Sequence, residues 1–171
     1  MSTRTFARVY GIAFLLIGIA GFIPGLNRMH EGGHPALSVD AFSGHLFGLF
    51  HVNLLHNLVH IAFGIWGLAA AGRYDSARTY ARGVAITYLL FVVMGLLPER
   101  IATTFGLVPL WGHDVWLHVL LALPAAYFGF VKPATDDMRT DEYSTAGTAH
   151  TTGTTTGLLA DDDTEAGTVR R

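Results

Sequence analysis

The chain of 171 residues contains no cysteine, which excludes disulfides, thiolate metal ligands and thiol catalysis. Charge is also scarce. Lysine, arginine, aspartate and glutamate make up 14% of the chain, where a soluble domain carries about 25%. That is too little polar side chain to give a globule a water-compatible surface. There is no basic excess either: the formal net charge is −2 and the sequence pI about 6.5. Nucleic acid is therefore excluded as a partner on electrostatic grounds. What is plentiful is apolar surface and small residues. Hydrophobic residues make up 51%, the mean hydropathy is +0.40, and twenty glycines suit packed transmembrane helices. Nine histidines are the compositional oddity.

Four apolar stretches, at about 6–24, 47–71, 80–97 and 110–131, approach the ~20 residues that a helix needs to cross ~30 Å of hydrocarbon. The third reaches that length only when Tyr80 and Ala81 are counted. Almost the only strongly polar residues within them are His51, Asn53, His56, Asn57, His60, Asp114 and His118. Beyond Lys132 the chain turns rich in Thr, Gly and Asp, so residues 134–171 are expected to form a disordered tail. The pattern predicts an all-α polytopic membrane domain over 1–133 with four transmembrane helices. The first stretch is expected to be a retained helix rather than a signal peptide. It is long for a cleavable apolar core, and Gly21-Phe22-Ile23-Pro24-Gly25 offers no small-x-small cleavage site.

The chain also repeats itself. Arg8 to Pro24 aligns without gaps on Arg82 to Pro98, a constant offset of 74, with Arg, Leu-Leu and Gly-x-x-Pro in register. Phe47-Gly48-Leu49 then aligns on Phe105-Gly106-Leu107 at offset 58, and His60 falls on His118 at the same offset. The first connection, including residues 25–45, is an insertion relative to the second. Each half reads as a helical hairpin starting on the same side. The two hairpins are thus parallel, related by a pseudo-twofold axis along the membrane normal. His60 and His118 should lie at equal depth, with the equivalent pair His56 and Asp114 one turn outward.

Two strings resemble a known family: Phe47-Gly-Leu-Phe-His-Val-Asn-Leu-Leu-His-Asn-Leu-Val-His60, with Gly64 and Gly67 following, and Phe105-Gly-Leu-Val-Pro-Leu-Trp-Gly-His-Asp-Val-Trp-Leu-His118. They resemble bacterial membrane proteins catalogued as domain of unknown function 4383, with a more distant similarity to the DoxX-like bundles. The resemblance spans about residues 4–131 and implies a four-helix integral membrane protein. It brings no activity, substrate or ligand residues.

An ionisable side chain in the membrane costs at least ~2.5 kcal/mol unless it pairs or faces the bundle interior. On a helix Asn53, His56, Asn57 and His60 share one stripe, with Gly64 and Gly67 continuing it, and Asp114 and His118 stand one turn apart. Three readings are open. The first is a metal or haem site: His56, His60, Asp114 and His118 could hold a divalent metal ion, or His60 and His118 could be axial ligands of a b-type haem, the glycines making room for the macrocycle. The second is structural glue, the same groups bonding across the bundle, which is the commoner role. The third is a proton- or substrate-handling polar cavity. In the outer loop, His30-Glu31-Gly32-Gly33-His34 has the spacing of a zinc-protease motif, but two glycines oppose the helix that such chemistry needs. With no nucleophile–base set or phosphate loop, the expected role is a structural or interaction component of the bacterial cytoplasmic membrane. Its partners would be the lipid bilayer and another copy of the chain or a second membrane protein.

Seven basic residues (Arg4, Arg8, Arg73, Arg78, Arg82, Lys132 and Arg139) flank the side on which both ends lie, against Arg28 and Arg100 on the other. The positive-inside rule then places both termini in the cytoplasm. A reporter fused after Thr135 should behave as cytoplasmic. An active periplasmic phosphatase at that point would reverse the orientation.

Overall fold

The computed structural model describes residues 1–28, 37–135 and 137. The chain divides into two units, Met1–Pro133 and Ala134–Arg171. Of the second, only Ala134, Thr135 and Asp137 are described, so the expected disordered tail lies otherwise outside the described residues. The first unit is mostly helical. Its long helices are α1 (Thr3–Ala20), α2 (Leu54–Ala70), α3 (Tyr74–Gly95) and α5 (His113–Ala126), with the short α4 (Glu99–Ala102) between α3 and α5. Two spans, Thr3–Ala20 and His113–Val131, are long and apolar enough to cross a membrane, and α2 is a shorter apolar helix.

α1 is capped at its start by the Ser2 hydroxyl, which accepts from the Thr5 N–H. The α2 carbonyl end receives the Arg4 guanidinium, whose Nε donates to Ala71 O at 3.3 Å. Pro124 has no N–H to give the preceding turn, and three residues later α5 widens into a π-helical turn over Tyr127–Val131. The widened end is held by two arginines from α3: Nε of Arg78 and Nε of Arg82 both donate to Gly129 O, at 3.1 and 2.9 Å.

α1 packs along α2, and α3 along α5. The first pairing is so close that only glycine fits. A Cβ on Gly64 would stand 2.6 Å from Leu15 Cγ and 2.9 Å from Gly11 O, and one on Gly67 would stand 2.8 Å from Gly11 Cα. The glycines of the predicted α2 stripe are therefore filled by the backbone of α1. The core between the helices is aromatic and alanine-rich, built on Phe6, Phe14, Tyr80 and Tyr88 with Ala77, Ala81 and Ala125. Phe14 and Tyr88 occupy equivalent positions of the sequence repeat and stack on each other at 5.5 Å.

Between α1 and α2 lies a feature the helical periodicity does not announce. Strands β1 (Asn27–Arg28), β2 (Gly44–Leu46) and β3 (Phe50–Val52) form an antiparallel sheet in the order β1-β2-β3, with His45 opposite His51. The expected helix over 47–71 is thus corrected: residues 47–49 turn a hairpin and the helix begins at Leu54. Three other boundaries also move: α1 ends at Ala20, α3 starts at Tyr74, and α5 starts at His113. The hairpin arises because Phe47 and Gly48 both adopt positive φ, 56° and 75°, which no helix accommodates.

The second connection carries the same turn. Phe105 and Gly106 have φ 58° and 88°. Gly48 N–H donates to His45 O and Leu49 N–H to Leu46 O; at the same offset of 58, Gly106 N–H donates to Thr103 O and Leu107 N–H to Thr104 O. Nor is the first connection a free insertion. Ser38 N–H donates to Gly106 O at 2.8 Å, and Asn27 Nδ2 donates to Gly21 O and Phe42 O.

The α1–α2 crossing yields a sharp contrast. Gly64→Ala should cost about 1–3 kcal/mol, because the methyl group meets atoms of α1 that cannot withdraw. Gly72→Ala, with nothing within 4 Å of the new methyl, should be close to neutral. Unfolding midpoints of the two variants in one detergent check this, and equal midpoints would refute the close crossing.

Candidate functional site

The start of α2 is organised by Asn53, which is wholly buried. Its side-chain oxygen accepts from the His56 N–H at 2.9 Å, capping the helix. Its Nδ2 donates to Val39 O at 2.9 Å and Leu107 O at 2.7 Å. One amide therefore joins the first connection, α2 and the second connection. The sequence pattern assigned Asn53 to the helical stripe; it is the cap instead. With α2 starting at Leu54, His60 lies roughly 9 Å along the helix at 1.5 Å per residue, not the ~20 Å implied by a start at Phe47.

Asp114 sits in the first turn of α5 and is buried; its Oδ2 accepts the backbone N–H of His51 at 3.2 Å. His56 and His60 stack one turn apart on α2 with ring centroids 4.7 Å apart, and His56 lies 6.4 Å from His118 of α5. Nδ1 of His60 bonds the His56 carbonyl at 3.0 Å. The carbonyl can only accept, so His60 carries its proton on Nδ1, and in the neutral ring Nε2 keeps the lone pair. The two repeat-related histidines take matching places. His60 stands edge-on to Phe14 at 5.7 Å, and His118 edge-on to Tyr88 at 5.0 Å.

All four expected residues, His56, His60, Asp114 and His118, line one cavity of about 110 Å³. Its other walls are apolar: Ile17 from α1, Leu117 from α5, and Leu46, Phe47, Phe50 and Val52 from the hairpin. The chain belongs to the DUF4383 family. The model of this domain of unknown function matches residues 4–131. No curated protein and no solved structure matches the chain.

In this DUF4383 chain the four residues meet around one cavity. Among the described residues, no three His, Asp or Glu side chains are placed to hold one metal ion. The room for a haem macrocycle beside Gly64 and Gly67 is taken by α1 and by Tyr80, whose Cζ would lie 2.8 Å from a Cβ on Gly67. His30 and His34 of the protease-like spacing lie outside the described residues. Sequence reasoning did not pair His45 and His51, whose rings lie 3.8 Å apart across β2 and β3, with the Trp111 ring tilted against His51 at 4.8 Å. Gly48 and Gly106, at matching places in both strings, were the available signal for a turn.

Two polar atoms at the site are left over. Nδ1 of His56 and Nδ1 of His118 are buried and have no hydrogen-bond partner in the protein.

Asn53→Ala should destabilise the protein by about 2–4 kcal/mol, since it removes a cap and strands two buried carbonyls. Asn53→Asp keeps the cap acceptor, loses both donors and should recover only part of the loss. Thermal unfolding in detergent checks the order; an alanine variant as stable as the parent would remove Asn53 from its central place.

Proposed function

We propose that this DUF4383 chain is an integral protein of the cytoplasmic membrane that crosses it four times, with both termini in the cytoplasm. In this reading it is two parallel helical hairpins and serves as a structural or interaction component rather than a catalyst. Support for four crossings comes from the outer surface of all four long helices. Leu16 of α1, Ile65 of α2, Leu89 of α3 and Leu120 of α5 are all exposed, an arrangement that suits lipid and not water. The matched turns at 47–49 and 105–107, with their shared hydrogen bonds, support the duplication. The arginines holding Ala71 and Gly129 are also those on the side assigned to the cytoplasm.

The observation that carries the structural role is the centre of the molecule. Phe14 and Tyr88 stack on one another, and each bears the histidine of its own repeat on its edge. In hydrocarbon, helix association has no hydrophobic driving force and relies on packing and on polar contacts, worth about 0.6 kcal/mol on average. An imidazole–aromatic mesh between two hairpins supplies both. It also fixes their register, because sliding one hairpin by a turn would strand a buried imidazole in lipid.

If the mesh is one unit, His60→Leu and His118→Leu should be non-additive, with a coupling of about 0.5–3 kcal/mol. Detergent unfolding of both single variants and the double variant gives that number. Strict additivity would overturn the shared network. Stoichiometric metal or a Soret band in the purified parent would instead move the cluster from structural to ligand-binding duty, through His56, His60, Asp114 and His118.

A further inference from the structure

We propose that the cavity beneath the β2–β3 hairpin is a binding site for a small neutral molecule, a hydroxyl group on an apolar body about the size of one aromatic ring. The inference rests on the membrane reading above for its surroundings, and adds a ligand to what is otherwise a structural cluster.

Size comes first. The cavity of about 110 Å³ exceeds what a single water occupies and falls well short of the pockets that hold drug-sized ligands. A dry hole of this size at a polar site would be expected to close or to fill, since protein interiors are packed like crystals.

The lining then sets the chemistry. The walls are apolar over most of their surface. Ile17, Leu46, Phe50, Val52 and Leu117 make this apolar part, and His56, His60, Asp114 and His118 border the remainder. Nδ1 of His56 and Nδ1 of His118 have no partner in the protein although both side chains are more than nine-tenths buried. His60, its Nδ1 engaged by the His56 carbonyl, keeps Nε2 as its remaining polar atom. A neutral imidazole whose Nδ1 is free of protein partners can donate or accept there, according to its tautomer. A hydroxyl group likewise donates once and accepts twice, so a guest oxygen can match an imidazole in either tautomer. The apolar part of the wall accepts the body attached to that oxygen.

Charge decides between neutral and ionic guests. None of the lining residues is Lys or Arg, and the single carboxyl, Asp114, already accepts the His51 N–H. An anion would find no cationic partner, and any ion would be desolvated against six apolar side chains.

Access is provided by the hairpin. Phe47, also part of the lining, is held at positive φ at the tip of the turn with its side chain 57% exposed. The lip of the cavity is thus a strained, outward-facing residue at the end of the bundle away from Arg78 and Arg82.

The test uses the full chain in lipid nanodiscs, with 4-fluorophenol as the probe and ¹⁹F NMR as the readout. Saturable binding is expected for 4-fluorophenol, beyond what empty nanodiscs take up. Fluorobenzene, the same ring without the hydroxyl, should bind at least tenfold more weakly, and 4-fluorobenzoate should not bind saturably. Leu117→Trp, which fills the apolar part, should abolish the saturable component, and His56→Leu should weaken it about tenfold. The comparison of probes on the parent needs no variant, so a folding defect in either substitution leaves it intact. Uptake equal to that of empty nanodiscs would overturn the proposal and leave the cavity to water. Equal binding of fluorobenzene would overturn the hydroxyl requirement, and preferred binding of the benzoate would overturn neutrality. Displacement of the probe by equimolar Zn²⁺ would overturn it in favour of a metal. None of these outcomes bears on the reporter at Thr135 or on the His60–His118 coupling, so a failed ligand and a failed membrane reading are separable.

Discussion

A helix that begins inside a protein must find partners for its first N–H groups, and in this chain that demand falls on Asn53. The residue is wholly buried, caps α2, and uses its two remaining donors on carbonyls from both inter-helix connections. The rest of the site follows from that anchoring. With α2 started at Leu54, His56 and His60 are brought to face α5, and the three-residue turn at 47–49 is held above them. The backbone of His51, two residues before Asn53, then meets Asp114. Without a polar side chain at 53, three backbone groups would be stranded, and the cavity would lose its roof and its floor together.

The proposed duplication accounts for the meeting of equivalent residues. When two copies of one hairpin are arranged about an axis, residues near that axis meet their own equivalents. Phe14 meets Tyr88, and the histidine of each half is drawn to the ring of its own repeat. The halves have diverged where the symmetry would be costly. Two histidines one turn apart on α2 are answered on α5 by Asp114 and His118, so the cluster has a carboxyl to accept a backbone N–H in place of a fourth imidazole. The connections differ as well: the first carries a sheet around its Phe-Gly-Leu turn, and the second shares the turn and two of its hydrogen bonds.

Gluing the hairpins together and holding a guest are not opposed roles for one cluster. Aromatic edges satisfy the faces of the imidazoles, which is packing. They do nothing for the Nδ1 atoms of His56 and His118, which is a separate demand in a medium of low dielectric. A cluster evolved for adhesion alone would be expected to close on itself and pair those atoms. Here the pairing is incomplete, beside an open volume with apolar walls.

The sequence alone determined the helical class, the family and the identity of the polar residues that meet, and it carries the case made above for a membrane protein and an internal repeat. Each of these is written in local composition or in a pattern of fixed spacing. Scarce charge, apolar stretches of near-spanning length, and offsets of 74 and 58 need no knowledge of the fold. Even the gathering of His56, His60, Asp114 and His118 follows from helical spacing and from equivalence under the repeat. Tertiary structure decided the remainder. That Phe47-Gly48-Leu49 turns rather than winds depends on positive φ at a phenylalanine, which runs against its own preference and which Phe105 repeats in the second connection. That Asn53 caps rather than lines depends on the carbonyls of Val39 and Leu107, 14 and 54 residues away. That Gly64 and Gly67 admit a helix backbone rather than a cofactor depends on where α1 lies. In each case the partner is remote in the chain, and periodicity carries information only about neighbours.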